Sequence, residues 1–154
     1  MNRREFLTVV GGCLFINKND KKENKNDKKE FKSIIIAYAD KPNGNKRVYT
    51  KKVLKEAFKN LKCVSGTINP SYDSEDKRVA SHIAYNFRMN DNKVLCDMKI
   101  LDTIEGRKLE NNINQFVFRT CGIGNVDHKN DLTFVKDYRL LTIDAIPVEK
   151  TTKI

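Results

Sequence analysis

The sequence predicts a single α+β domain built on a mostly antiparallel sheet or a half-open β-barrel with two helices. Two observations lead to this fold class. Short segments rich in β-branched residues are separated by turn residues, which is typical of antiparallel strands. Two longer segments repeat apolar residues at spacings of three and four, which is typical of amphipathic helices. The length of 154 residues fits one domain.

The elements follow from these patterns. The first helix is predicted from about Lys51 to Lys62 behind an N-cap at Thr50, and the second from about Glu105 to Phe116 behind Thr103. Residues 90–92, Asn-Asp-Asn, form a turn that predicts a hairpin between the second and third strands. The predicted strands are residues 33–39, 78–87, 93–101, 132–135 and 138–146.

Composition excludes several classes of function. The chain carries 30 Lys and Arg against 20 Asp and Glu, for a net charge of +10. Because the lysines are spread along the chain, this excess indicates a solvated surface and not a specific nucleic-acid site. Four cysteines without a CxxC pair and only two histidines argue against a structural metal site. We therefore predict free thiols, no metal and no cofactor.

The N-terminal residues 1–32 are predicted to precede the folded domain, which spans 33–150 and is followed by a tail at 151–154. The apolar run Phe6–Ile16 is too short to span a bilayer. Residues 17–32 are highly charged and of low complexity, which favours a disordered linker. Arg3-Arg4 resembles a twin-arginine export motif and Val10–Cys13 a lipoprotein cleavage box, so an exported, lipid-anchored domain stays open as an alternative.

The stretch whose residue types are best suited to catalysis is residues 119–126, RTCGIGNV. Thr120 and Cys121 place a hydroxyl and a thiol beside Gly122 and Gly124, whose backbone can approach a ligand closely. A nucleophile beside oxyanion-binding amides would have this composition. A tight turn between two strands would have it too.

The order of motifs resembles the prohead core proteases of tailed bacteriophages, which are similar in fold to the herpesvirus assembly proteases. The resemblance covers about Ile34 to Glu149 and depends on the order and spacing of several short motifs. It implies a serine protease that cleaves scaffold and capsid proteins inside the immature head, in the host cytoplasm and away from membranes. The matching motifs are residues 43–49, 53–57, 66–70, 78–79, 81–82, 94–103, 106–108, 122–124 and 140–144.

Both positions that carry the family's chemistry differ here. Asn69-Pro70 stands where the family has its His-Pro base, and Thr120-Cys121-Gly122 stands where it has Ser-Arg-Gly. The amides of Cys121 and Gly122 match the oxyanion region. We expect Asn69 and Thr120 to face each other across a shallow cleft. An amide does not titrate near neutrality, so Asn69 cannot act as a general base.

Two substitutions could restore the chemistry. His82 could serve as the base, since histidine titrates in the right range, and Cys121 could replace Thr120 as nucleophile, since a thiol needs less activation. The simpler interpretations are a structural sheet histidine for His82 and a small buried filler for Cys121. His128 is expected to be solvated in a polar turn.

Three functions therefore stay open at this stage. The chain is an active prohead protease of serine type with a Thr or Cys nucleophile, a catalytically silent relative that serves as a structural component of head assembly, or an exported domain. The first two imply scaffold and capsid proteins of the immature head as partners and leave a homo-oligomer open.

Overall fold

The computed structural model describes residues 29–68 and 79–151, which form seven strands and three α-helices. A 3₁₀ turn at Ile113–Gln115 precedes the sixth strand. The elements are β1 (Glu30–Tyr38), β2 (Arg47–Tyr49), α1 (Lys51–Phe58), β3 (Cys63–Gly66), β4 (His82–Asn90), β5 (Lys93–Ile100), α2 (Ile104–Asn111), β6 (Phe116–Lys129), β7 (Leu132–Pro147) and α3 (Val148–Thr151). No helix among these residues is long and apolar enough to cross a membrane.

The strands form two sheets that nearly close on each other. One sheet has the antiparallel order β1-β5-β4-β3, and the other has the order β2-β7-β6, in which β2 is parallel to β7. Beyond β3 the chain forms a parallel bridge between Ile68 and Ala145 of β7, which joins the sheets on one side. On the other side β1 and β6 contact each other without a strand ladder. The predicted α+β class is confirmed, and the barrel is not closed.

Both predicted helices are present but shorter than expected. Thr50 Oγ1 accepts the Val53 N–H at 3.3 Å, so the predicted cap of α1 is correct. The helix ends at Phe58 because the Lys59 backbone is extended, with ψ of 132°, and Asn60 then turns the chain with a left-handed φ of 62°. Thr103 Oγ1 caps α2 in the same way by accepting the Gly106 N–H at 2.9 Å. The second helix ends at Asn111, since Phe116 already pairs in β6.

The predicted glycine-rich turn after α2 is wrong. Residues 120–126 lie inside β6, and the two predicted late strands are one continuous β7. The real turn of this hairpin is at Asn130-Asp131, where φ is 52° and 62°. The glycines instead lie opposite irregular parts of β7, because the β6–β7 register shifts after Cys121 and again after Ile123.

The free-thiol prediction holds only in part. Cys96 on β5 and Cys121 on β6 form no disulfide, whereas Cys63 at the start of β3 is disulfide-bonded. Cys96 is fully buried in the core, and burial raises the pKa of its thiol to about 12. Cys96 is therefore a packing residue without reactivity at neutral pH.

A buried carboxylate ties the first sheet together. Asp97 of β5 accepts hydrogen bonds from the Ser33 N–H at 3.0 Å, the Asn86 amide at 2.8 Å and Arg88 at 3.1 Å. Ser33 and Asn86 occupy irregular positions of β1 and β4, with φ of 58° and 55°. Burial alone would favour the protonated acid, but the three donors outweigh it and lower the pKa of Asp97 to about 2.

Replacing Asp97 with Asn should remove an acid-dependent part of the stability. The folded pKa of about 2 lies below the ordinary value of 3.8. The contribution is therefore complete above pH 4, and it is lost as the pH falls toward 2. The shift corresponds to about 2.5 kcal/mol. Urea unfolding of the wild type and of Asp97→Asn at several pH values measures it; an equal pH slope for both chains would contradict this role.

Candidate functional site

An open groove of about 1380 Å³ lies between β1 and β6, where the barrel is not closed. We call it the β1–β6 groove. Strand β1 from Phe31 onward and the loop up to Asn45 form one wall, and the first half of β6 with parts of β7 forms the other. The residues that matter for its chemistry are Tyr38, Thr120, Cys121, Gly122, Tyr138 and Asp144. The structure thus brings the predicted Thr120-Cys121-Gly122 motif to a cleft.

The two candidate nucleophiles lie on opposite faces of β6. Thr120 pairs with Ile143 and Cys121 pairs with Thr142, in an uninterrupted part of the ladder. Because side chains alternate along a strand, Thr120 shares the face of the buried Phe118, and Cys121 points the other way. Both are half-buried in the wall of the groove.

The Gly122 position is set by packing against β7. A Cβ there would collide with the Arg139 carbonyl oxygen and would lie 2.8 Å from the Tyr138 ring. A side chain at residue 122 would therefore displace Tyr138 from the groove. The oxyanion role of the Cys121 and Gly122 amides stays a prediction.

His82 lies in the core and not in the groove. Its side chain is 0% exposed, and its ring stands edge-on to Phe118 with centroids 5.3 Å apart. The β1–β6 groove is lined without it. A base must reach the proton that it removes, so this location does not support a role of His82 as a base and favours the simpler interpretation, a structural sheet histidine.

Both ring nitrogens of His82 are already used. Nε2 lies 2.6 Å from the carbonyl oxygen of Ile143, and Nδ1 lies 2.7 Å from Ser81 Oγ. Because a carbonyl can only accept, Nε2 carries the proton and Nδ1 accepts from the Ser81 hydroxyl. Burial lowers the pKa of His82 to about 4, and the Ile143 carbonyl opposes that shift. The ring is a neutral link between β4 and β7.

The second histidine is far from the motif. His128 is exposed near the end of β6, where Nδ1 lies 3.0 Å from Thr133 Oγ1. It follows Thr120 by eight residues on the same strand, which corresponds to roughly 26 Å at about 3.3 Å per residue. The expectation of a solvated His128 agrees with its exposure.

Asn69 and Pro70 lie outside the described residues, so the expected approach of Asn69 to Thr120 stays untested. The chain just before them runs along β7, where Ala145 N–H donates to the Thr67 carbonyl at 2.9 Å. Ile68 bridges Ala145 on the side of β7 opposite to β6. The last described residue before Asn69 is therefore two strand spacings, roughly 10 Å, from the β6 backbone.

Sequence reasoning assigned no role to two residues of the groove, Asp144 and Tyr138. Asp144 is only 4% exposed, and its carboxylate accepts the Thr142 hydroxyl at 2.9 Å and the Thr67 N–H at 3.1 Å. A charged residue inside the apolar run of β7 was the signal that could have found it. Tyr138 gave no such signal, because a tyrosine in a strand is ordinary.

Among the comparisons with known proteins, only the structural comparison gives a match. No protein-family model matches the chain, and no curated protein matches it. Among solved structures the fold resembles that of a viral assembly protease. This is the capsid assembly protease of bacteriophage T4, gp21, with a TM-score of 0.63 and 23% sequence identity over 73% of this chain and 78% of that chain. The match shows a shared fold.

Proposed function

We propose that the chain acts in phage head assembly as a relative of the capsid assembly protease whose proteolytic activity is absent or strongly reduced. The observation that carries this proposal is the state of the two histidines. His82 is buried with both nitrogens bonded, and His128 is far along β6. The sequence also has an amide at position 69, where the related proteases have their base.

The expected loss of activity follows from the chemistry of hydroxyl nucleophiles. A threonine hydroxyl stays protonated at neutral pH and needs a base beside it. Removing one member of such a catalytic unit costs several orders of magnitude in rate. The groove with Thr120 would then bind segments of scaffold and capsid proteins without cleaving them efficiently. In this role the chain works in the host cytoplasm, within the assembling prohead.

Restoring the base and the nucleophile together tests this proposal. We expect no self-cleavage and no cleavage of co-expressed scaffold and capsid proteins by the wild type, and measurable cleavage by Asn69→His with Thr120→Ser. The matched control is Asn69→His with Thr120→Ala, which carries the new base without a nucleophile. Products are identified by mass spectrometry. Efficient cleavage by the wild type would overturn the inactive interpretation.

A second candidate is a slow cysteine peptidase, which the position of Cys121 favours. Its thiol is not part of a disulfide, and the residue is half-buried in the groove wall. A thiol is intrinsically a better nucleophile than a hydroxyl. Cys121→Ala in the same assay distinguishes the two candidates, because only a cysteine peptidase would lose wild-type cleavage in that variant.

A further inference from the structure

The Tyr138 hydroxyl is a buried polar atom in the wall of the β1–β6 groove. It is shielded from solvent and has no hydrogen-bond partner among the described residues. The Thr120 hydroxyl is near enough to lower the pKa of the phenol, but the two groups do not meet in hydrogen-bond geometry. A buried hydroxyl without a partner is unfavourable, because it has lost its hydrogen bonds to water and gained none in return, so such atoms are rare in native proteins.

The ring of Tyr138 is held in place by three features. In β7, residues 137 and 138 together oppose Gly124, because Ile123 pairs with Arg139 and Asn125 pairs with Lys136. Asp137 has the left-handed φ of 48°, and such irregularities re-aim the next side chain. The Tyr49 ring then packs edge-on at 5.1 Å, and Gly122 leaves room on the other side.

The Tyr138 side chain is a neutral phenol when it meets a ligand. Burial raises the pKa of Tyr138 well above its ordinary value, with Thr120 opposing the shift. The group therefore keeps its proton throughout the neutral range and remains a hydrogen-bond donor. A group of this kind fits an uncharged acceptor such as a carbonyl oxygen.

The strands beside Tyr138 indicate that the acceptor is a main-chain carbonyl of a bound polypeptide. Among the described strands, β1 pairs only with β5, and β6 pairs only with β7. Each therefore turns one unpaired edge toward the groove. An extended polypeptide can add to such an edge through its main chain. A main-chain carbonyl that passes over Thr120 and Gly122 would lie beside Tyr138.

We propose that the Tyr138 hydroxyl is a ligand-recognition group that donates a hydrogen bond to a main-chain carbonyl of an extended polypeptide bound in the β1–β6 groove. This inference deepens the proposed function and rests on it, because that function requires the groove to take segments of other proteins. It assigns a recognition role to a residue outside the Thr120-Cys121-Gly122 motif.

The test uses Tyr138→Phe, which removes only the hydroxyl. Fluorescein-labelled casein, an unstructured polypeptide, is the probe, and its affinity for the full chain is measured by fluorescence anisotropy. We expect roughly five- to tenfold weaker binding, the value of one hydrogen bond. Tyr85→Phe is the matched control, since Tyr85 bonds Lys32 away from the groove, and it should bind within twofold of the wild type.

A thermal melt of the same variants separates recognition from structure. Tyr138→Phe should keep the wild-type melting temperature or exceed it, because no hydrogen bond within the described part of the chain is lost. A drop of several degrees, unchanged casein affinity, or no casein binding by the wild type would each overturn the proposal. Casein is not a head protein. Binding that depends on Tyr138 without capture of scaffold or capsid proteins would therefore count against the proposed function alone.

Discussion

Gly66→Ala is expected to prevent the domain from folding. Gly66 of β3 pairs with His82 of β4. A Cβ at residue 66 would overlap the Ile143 carbonyl oxygen and the His82 ring. Both obstacles are fixed, because one is backbone and the other is a buried ring bonded at both ends. Overpacking of a rigid core usually costs about 1–3 kcal/mol, and breaking the buried His82 bonds adds about 1–3 kcal/mol, which together approach the stability of a small domain.

Soluble expression and circular dichroism measure this outcome. Gly44→Ala is the matched control, since Gly44 is exposed in the loop before β2, and it should fold like the wild type. A Gly66→Ala protein with wild-type stability would show that β3 can move away from β7, which would contradict the close packing of Gly66 against the Ile143 carbonyl.

Acid sensitivity between pH 6.5 and 4 is the second large effect that we expect. The pKa of His82 falls from the ordinary 6.5 to about 4 in the folded chain because of burial. Between pH 6.5 and 4, His82 is protonated in the unfolded chain and neutral in the folded chain. The stability contribution is therefore complete above pH 6.5 and declines as the pH falls toward 4, by about 3 kcal/mol in total.

Denaturant titrations at half-unit pH steps would show this slope. In His82→Gln the protein should be less stable at pH 7, and the slope between pH 6.5 and 4 should largely disappear. His128→Asn is the control, since His128 is exposed and its replacement should leave the slope in place. The Asp97 effect occurs below pH 4 and does not overlap this window. A slope that persists in His82→Gln would refute the assignment.

The elements of the fold were predictable where local chemistry decides them. Thr50 and Thr103 cap the two helices, and both are visible in the sequence as threonine before an apolar repeat. The Thr120–Gly124 stretch was not predictable, since two glycines at that spacing indicate a turn. The two glycines instead lie opposite irregular parts of β7. Such a register shift depends on how β6 pairs with β7, and the spacing of glycines within β6 does not reveal it.

The residues of the candidate site were likewise predictable only where local chemistry decides their role. Thr120, Cys121 and Gly122 could be assigned to a cleft from their chemistry and the order of motifs. The sequence favoured a structural His82 but left the role of a base open, because a Ser-His pair in a strand fits both a solvated base and a core residue. Only the structure shows that the side chain is fully buried. The Tyr138 hydroxyl, which has no hydrogen-bond partner among the described residues, could not be predicted either, because hydrogen bonding between distant residues depends on the three-dimensional fold.

The position of β7 in the chain has a consequence for the order of folding. This strand pairs with β2, with β6 and with Ile68 beyond β3, and residue 47 already depends on residue 133. Such distant pairs make folding slow, because long loops must close before contacts form. During synthesis at about 5–20 residues per second, β2 and Ile68 cannot pair until β7 has been synthesised. The barrel can thus assemble only after the chain is complete to about Pro147.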